Sequence, residues 1–501
     1  KVVCKGRPEK GDAANQTCIT IGGKNIAYPG DVGTPTGSLE LVKLLINSVL
    51  SQREARFATF DLKDFYLNTP LDRPEYVRIK ITDIPEEFIR EYTLEDFVRN
   101  GWVYFEMRRG MYGLPQAGIL ANNLLRDRLA KFDYYEAATT PGLWRHKWHP
   151  IMSALIVDDF AIQYVGDAHL DHLRQALKQH YNVSEELDGT RFAGMTLKWN
   201  YSTTHTERSC RLSMPGYISN VRTKYDHPMP TKRQLAPHKH REIVYGQLTQ
   251  LIHDEPYSPP LSEKGVKRIQ GIIGALLYYA RSVDNKLLAT LSTLSSQQAT
   301  ATEATAEAAN QLLDYLATYP DDGTTYRASD MILCAHADAG FNNESKGRSR
   351  AGAHIFLAEN DPFPRHNGPI LSISQIMKFV MTSAAEAELG ALYTTAKEMV
   401  PLRHTLNEMG WPQPRTPIQT DNSTAVGVTN LTIVPRKTKS MDLRLWWLRC
   451  RESQEQFRYY WDKGSRNLAD YHTKHHPPIY HESNRPTHAG AAFRLQDTTP
   501  P

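Results

Sequence analysis

The run Ala154-Leu155-Ile156-Val157-Asp158-Asp159 leads four apolar residues straight into two adjacent acids, and a third acid, Asp61, closes the strand-like stretch ARFATFDLKDFY. Like charges side by side at a buried strand end are costly unless a cation sits between them. Hard oxygen ligands of this kind suit Mg2+ or Mn2+. Phosphoryl transfer to a 3′-hydroxyl uses two such ions about 3.5 to 4 Å apart, one activating the attacking oxygen and one steadying the leaving phosphates. Asp61, Asp158 and Asp159 are therefore one candidate two-metal set. A second set is Asp338 in CAHADAG, Glu388 in AAEAELGAL, Asp421 in QTDNSTA and Asp470 in RNLADYHTK. These acids come from separate elements, and the same two-metal logic applied to phosphodiester hydrolysis makes them the second candidate set.

The elements that must position these acids are legible from periodicity. TGSLELVKLLINSVLSQ, from Thr36 to Gln52, has apolar residues at helical spacing behind a Thr and Ser start signal. ARFATFDLKDFYLNTPL reads as a strand ending in a carboxylate, and IMSALIVDDFAIQYV as two apolar strands joined at an Asp-Asp turn. Between 201 and about 325, Pro-rich punctuation precedes two helical patterns, RIQGIIGALLYYARSVD and EATAEAANQLLDYLATY, which predicts a connecting domain. From Ser329 a new cycle begins: the strand MILCAHADAG, a hairpin through GRSRAGAHIFLA, a long helix from Ala384 to Met409, a strand containing IQTDN and a final helix near Ala469. After His476 the composition of Pro, His, Asn and Thr predicts a frayed tail.

Composition bounds these readings without deciding them. A chain of 501 residues exceeds what one core usually supports, and 40% hydrophobic with 23% charged residues is ordinary globular usage. The formal net charge of +4 means that any basic surface for nucleic acid must be local. The five cysteines, Cys4, Cys18, Cys210, Cys334 and Cys450, are scattered, with no Cys-x-x-Cys pair and no matching histidine spacing. They predict a reducing compartment with neither disulfides nor structural zinc. No apolar run approaches the ~18–20 residues of a membrane span, and the opening residues lack a signal-peptide core. The absence of an initial Met suggests a segment of something longer, and a soluble intracellular protein is expected.

The motifs also resemble a known family. FDLKDFYLNTPL resembles polymerase motif A, GMYGLPQAG motif B and LIVDDF motif C of the reverse transcriptases of Copia-type LTR retrotransposons, while SAAEAELGAL, the TDN strand and the Ala-Asp-x-x-Thr-Lys end resemble their RNase H domain. The resemblance covers about residues 1 to 478. It implies an α/β and α+β multidomain chain: a right-hand polymerase of fingers and palm over 1–200, a thumb or connection over 201–325, an RNase H-like mixed-sheet domain over 326–478 and a tail over 479–501. It implies RNA- and DNA-templated DNA synthesis with hydrolysis of the RNA strand of hybrids, using Mg2+ or Mn2+, two ions per site. Template RNA, primer DNA, RNA/DNA hybrid and dNTPs would be the partners, with no membrane, in an oligomer within cytoplasmic virus-like particles or in the nucleus. The alternative is a decayed or domesticated copy that binds nucleic acid without catalysis.

Residue by residue, the resemblance makes Asp61, Asp158 and Asp159 the polymerase metal ligands and Asp338, Glu388, Asp421 and Asp470 those of hydrolysis. Glu388 is preferred to Glu386, because Leu389 to Ala391 follow it as in the family and Glu386 projects to a second shell or to solvent. Tyr66, five residues after Asp61, matches the aromatic gate against a 2′-hydroxyl, or packs in the core. Gln116 matches the residue that contacts the incoming nucleotide, with Gly113 and Gly118 admitting phosphate and template, or these form a plain turn. Phe192 to Gly194 match the primer-supporting hairpin or a generic Gly turn, and Arg108 and Arg109 meet template phosphates or solvent. Lys1 and Lys5 match remnants of a basic fingers strand. Two positions depart from the pattern: Asp462 and Ser440 stand where relatives carry His. No proton-shuttling histidine is identified, and His472, His475 and His476 read as a solvent-exposed tail.

Overall fold

The computed structural model describes residues 2–6, 15–23, 26–240, 257–362, 364–433 and 442–490, with backbone alone for 2–6 and 15–19. Lys1, the Lys5 side chain and Ser440 lie outside the described residues. Contacts divide the chain into two compact units, Lys1–Ser38 with Ala58–Leu187, and Leu39–Phe57 with Asp188–Pro501. The segment around the expected 200 boundary therefore belongs with the second unit, since Arg208 donates to the carbonyls of Val49 and Ala55.

In the first unit a six-stranded sheet runs in the order Asn182–Glu186, Arg56–Lys63, Asp159–Tyr164, Ile151–Ile156, Leu143–His146, Tyr134–Glu136. Along RFATFDLK the side chains alternate, so Phe60 and Leu62 enter the core while Asp61 faces the other way, half-buried. The core face is closed by the helices Ala117–Ala130 and Asp167–Lys178, through Leu125, Leu129, Leu173 and Leu177 packed with Trp144, Phe160 and Ile162. A separate two-stranded ribbon pairs Pro70–Lys80 with Trp102–Arg109.

The second unit holds two sheets. A four-stranded antiparallel sheet, Arg191–Phe192, Met195–Asn200, Ser209–Ser213 and Gly323–Arg327, accompanies the helices Glu263–Ser282, Leu288–Gln297 and Glu303–Thr318. A five-stranded mixed sheet runs Pro369–Ile376, Arg348–Ala358, Ile332–Glu344, Thr416–Thr420, Phe457–Trp461, its first two pairings antiparallel and its last two parallel. The 25-residue helix Ala384–Glu408 packs on this sheet.

Two expectations are corrected. The final helix near Ala469 is a short 3-10 turn, Leu468–His472. The tail expected to fray is instead the helix Pro478–His488, begun by a Pro at its first position and held by Arg485, which donates to Tyr315 Oη (2.7 Å) and to Asp322 Oδ2 (2.6 Å). Polar composition misled here because the helix docks by buried polar contacts, His481 Nδ1 lying 2.6 Å from Tyr471 Oη. Among the described residues no helix is long and apolar enough to cross a membrane, and Cys210, Cys334 and Cys450 are free.

Candidate active sites

Asp61, Asp158 and Asp159 each present a carboxylate oxygen within 4.8 Å of the others. The hairpin that aligns them is a two-residue turn, Val157-Asp158, between the paired residues Ile156 and Asp159. Val157 takes φ +58°, a conformation that β-branched side chains avoid and that glycine usually supplies in such turns. The turn is held open toward Asp61 by Leu62 N–H donating to the Asp158 carbonyl (3.0 Å) and Val157 N–H donating to Thr36 Oγ1 (3.3 Å). Left-handed backbone at a non-glycine costs about 1–3 kcal/mol, and glycine's added chain entropy about 0.5–1 kcal/mol. Val157→Gly is thus expected to raise stability by about 1 kcal/mol, read as a higher urea midpoint at unchanged slope.

Burial, and then the Asp61 charge, raise the Asp158 carboxyl above its usual range. Tyr112 donates its hydroxyl to Asp158 Oδ2 (3.1 Å) and meets Tyr66 edge-on, ring centroids 4.7 Å apart. The Tyr66 phenol is raised by burial and then by Asp158, so its ring borders the acid cluster while also packing on the core. Tyr112 is a site residue that the motifs did not single out; its place in GMYG, directly before Gly113, was the available signal.

The structure reassigns other positions. Gln116 is fully buried and its amide nitrogen donates to Glu75 Oε1 (2.9 Å), which also accepts from Arg73 (2.9 Å). Gly113 (φ +98°) admits the chain's own backbone: an added Cβ would stand 2.1 Å from the Ile21 carbonyl oxygen. Gly118 is crowded by the Thr34 side chain. Arg108 and Arg109 are exposed, Arg108 pairing with Glu106 at 2.8 Å. Phe192 to Gly194 do form a tight hairpin, with Ala193 and Gly194 at φ +47° and +75°, and Tyr278 donates to the Ala193 carbonyl.

The second set assembles on the mixed sheet. Asp338 lies within the central strand Ile332–Glu344, Asp421 directly follows the parallel neighbour Thr416–Thr420, and Glu388 projects from the long helix. Their carboxylate oxygens lie within 4.8 Å of one another. Gly352, paired with Asp338, leaves room for the Leu468–His472 turn to cross beside Asp338, since an added Cβ would stand 2.7 Å from the Ala469 carbonyl oxygen. Thr473 donates to Asp338 Oδ2 and Thr420 to Glu388 Oε2 (3.3 Å). Asp470 is near enough to act electrostatically on Asp338 and Asp421, yet its oxygens meet Lys474, Tyr480 (3.3 Å) and His476 (3.3 Å). It therefore stands beside the trio and not within it.

Glu386 is buried and not in solvent: its Oε2 accepts from Thr382 N–H (2.8 Å) and Oγ1 (2.6 Å), closing the helix start with Ser383 as N-cap. His472, His475 and His476, expected in an exposed tail, are all buried by the docked C-terminal helix. Asp462 pairs with Arg466 (3.6 Å).

Burial pushes Asp338 up to about 7, with Asp470 and Asp421 adding to the rise against the pull of Lys474. Burial, then Asp338 and Asp421, drive Glu388 well above its usual range, and burial raises Asp421. A carboxyl raised in the folded state stabilises below its unfolded value of about 4 and loses that contribution as pH rises through the folded value. The thermal midpoint without divalent ions is therefore expected to fall between about pH 4 and pH 7, and added Mg2+ to recover it at pH 7. A flat midpoint in both conditions would contradict the cluster.

No family model matches the chain. It is similar to the retrovirus-related Pol polyprotein from transposon TNT 1-94 of Nicotiana tabacum, 21% identical over 459 residues, which are 89% of this chain and 31% of that protein. It is also similar to the putative transposon Ty5-1 protein of Saccharomyces cerevisiae, 25% identical over 68% of this chain and 99% of that protein. A third relative, the Pol polyprotein from transposon RE2 of Arabidopsis thaliana, is 26% identical over 61% of this chain and 19% of its own length. The chain thus spans under a third of the two plant polyproteins, and all three relatives are transposon proteins. Among solved structures it is similar to the foamy viral protease-reverse transcriptase in complex with dsDNA (TM-score 0.49, 14% identity, 92% of this chain and 77% of that one). It is also similar to the RNase H1 LC11 isolated from compost (TM-score 0.23, 14% identity, 28% of this chain and 93% of that one).

Proposed function

From this kinship with transposon Pol polyproteins, we propose that the chain copies RNA and DNA templates into DNA and hydrolyses the RNA strand of RNA/DNA hybrids during retrotransposon replication. The reading gives the first unit the palm and fingers of a right-hand polymerase and the mixed sheet the RNase H role. The observation that carries it is the convergence of sequence-distant acids into two separate trios, Asp61 with Asp158 and Asp159, and Asp338 with Glu388 and Asp421. Each trio joins carboxylates whose mutual repulsion a divalent cation relieves.

In synthesis, Asp61, Asp158 and Asp159 would hold two Mg2+ ions, which activate a 3′-hydroxyl and steady the departing pyrophosphate. Tyr112 fixes Asp158 through its hydroxyl. Tyr66, bordering that carboxylate, closes the space a 2′-hydroxyl would occupy. Tyr66→Ala is expected to raise ribonucleotide incorporation relative to deoxyribonucleotide by about tenfold to a hundredfold, the scale on which a pocket discriminates one small group. Single-nucleotide primer extension with paired rNTP and dNTP titrations checks this, and an unchanged ratio removes the gate.

In hydrolysis, Asp338, Glu388 and Asp421 would hold the ions, with Asp470 completing the set when its oxygens leave Lys474. His476, 3.3 Å from Asp470 Oδ2, is the imidazole the structure offers there. Template RNA, primer DNA, RNA/DNA hybrid, dNTPs and a virus-like particle that assembles these chains in the cytoplasm, or their passage to the nucleus, belong to the same proposal. Primer extension on RNA and DNA templates, run beside hybrid cleavage with Mg2+, tests both activities; binding without either reaction would favour a silent nucleic-acid-binding copy.

A further inference from the structure

Two His-x-x-His pairs occur in the first unit, His146-Lys-Trp-His149 and His169-Leu-Asp-His172. Neither pair lies beside a cysteine, so the cysteine spacing that argues against structural zinc does not bear on them. His146 ends the strand Leu143–His146, His149 lies in the turn that follows, and His169 and His172 stand three apart on the helix Asp167–Lys178, hence on one face. The fold brings the pairs together. His146, His149 and His172 each offer a ring nitrogen within 4.8 Å of the others, and His149 Nδ1 lies 2.8 Å from His169 Nδ1. Ring centroids are 4.6 Å apart for His149 and His172 and 4.7 Å for His149 and His169.

The two ring separations from His149, to His169 and to His172, approach what a shared ion demands. Zinc binds imidazole at about 2.0–2.1 Å, so tetrahedral ligand nitrogens stand about 3.3 Å apart and ring centroids about 5 Å apart. We propose that His149, His169 and His172 bind one Zn2+-class ion that clamps the turn after Leu143–His146 to the helix Asp167–Lys178. His146 is the positioning member: its Nδ1 accepts the N–H of Trp148 (3.2 Å) and His149 (2.9 Å), which fixes the turn. His172 Nδ1 is 3.0 Å from Tyr134 Oη, the outer partner that would orient its other nitrogen toward the ion. The site is distant in chemistry from the carboxylate trios, since imidazole selects zinc where carboxylate selects magnesium.

The test uses the full chain, stripped with a chelator and then dialysed against zinc sulfate in excess Mg2+, which occupies the carboxylates. Wild type is expected to retain one more equivalent of zinc, by elemental analysis, than the His149→Gln/His169→Gln variant. Cobalt in place of zinc should give tetrahedral visible bands in wild type only. A second buried trio, His354, His472 and His488, lies in the other unit with rings 5.6–6.3 Å apart, so His354→Gln is the control and should keep the equivalent in question. Should the double variant not fold, histidine modification by diethyl pyrocarbonate in wild type decides: zinc must protect His149, His169 and His172. Equal zinc in wild type and variant, or no protection, leaves a plain His149–His169 hydrogen bond and overturns the site.

Discussion

Asp158→Asn is expected to lower primer extension at least about a thousandfold while leaving hybrid cleavage intact. Two-metal transfer obtains several kcal/mol of charge stabilisation from its ions, and about 4 kcal/mol corresponds to three powers of ten. Asp158 is the member to choose because it is the half-buried acid of the turn, raised by burial and by Asp61, and the one fixed by Tyr112. The amide keeps shape and the Tyr112 contact but removes the charge that draws the ions, and it also removes repulsion with Asp61. The variant should therefore unfold no earlier than wild type, which separates a lost ligand from a lost fold. Extension that survives this change at near wild-type rate would remove the first trio from catalysis.

Glu388→Gln should do the reverse in the other unit: hybrid cleavage falls about a thousandfold while primer extension stays. Glu388 is almost wholly buried, and burial is the first cause of its raised carboxyl, followed by Asp338 and Asp421. The neutral amide retains the Thr420 contact and relieves the repulsion. The metal-free chain should gain about 1–2 kcal/mol, a rise of roughly 2–4 °C in thermal midpoint. The gain must shrink on adding Mg2+, because wild type then has the cation that the variant cannot hold. Lost cleavage accompanied by a lower metal-free midpoint would mean that Glu388 serves the fold and not the ions.

Much of the site was readable before any coordinates. Alternation through Phe60, Asp61 and Leu62, the apolar approach to Asp158, and the helix from Ala384 all follow from period and charge, which are local properties. Roles that depend on what lies across a gap were not readable. Gln116 matched a nucleotide contact by motif, and nothing in that motif pointed to Glu75 on the adjacent ribbon, which accepts from its amide nitrogen. Asp470 matched a ligand, but Lys474, His476 and Tyr480 hold its oxygens, two of them supplied by residues read as an unstructured end.

Side-chain type and spacing along a few residues were enough to mark the strands and the long helix that carry Asp61, Asp158, Asp338, Glu388 and Asp421, but not the ending, where a helix was expected near Ala469 and none after Pro478. It took the packed fold to show that Asp338, Glu388 and Asp421 meet with Asp470 beside them, that Tyr112 serves Asp158, and that two histidine pairs face one another. Those outcomes rest on distances between residues far apart in the chain, set by how sheets and helices pack to bury their apolar faces, and no local pattern encodes such distances.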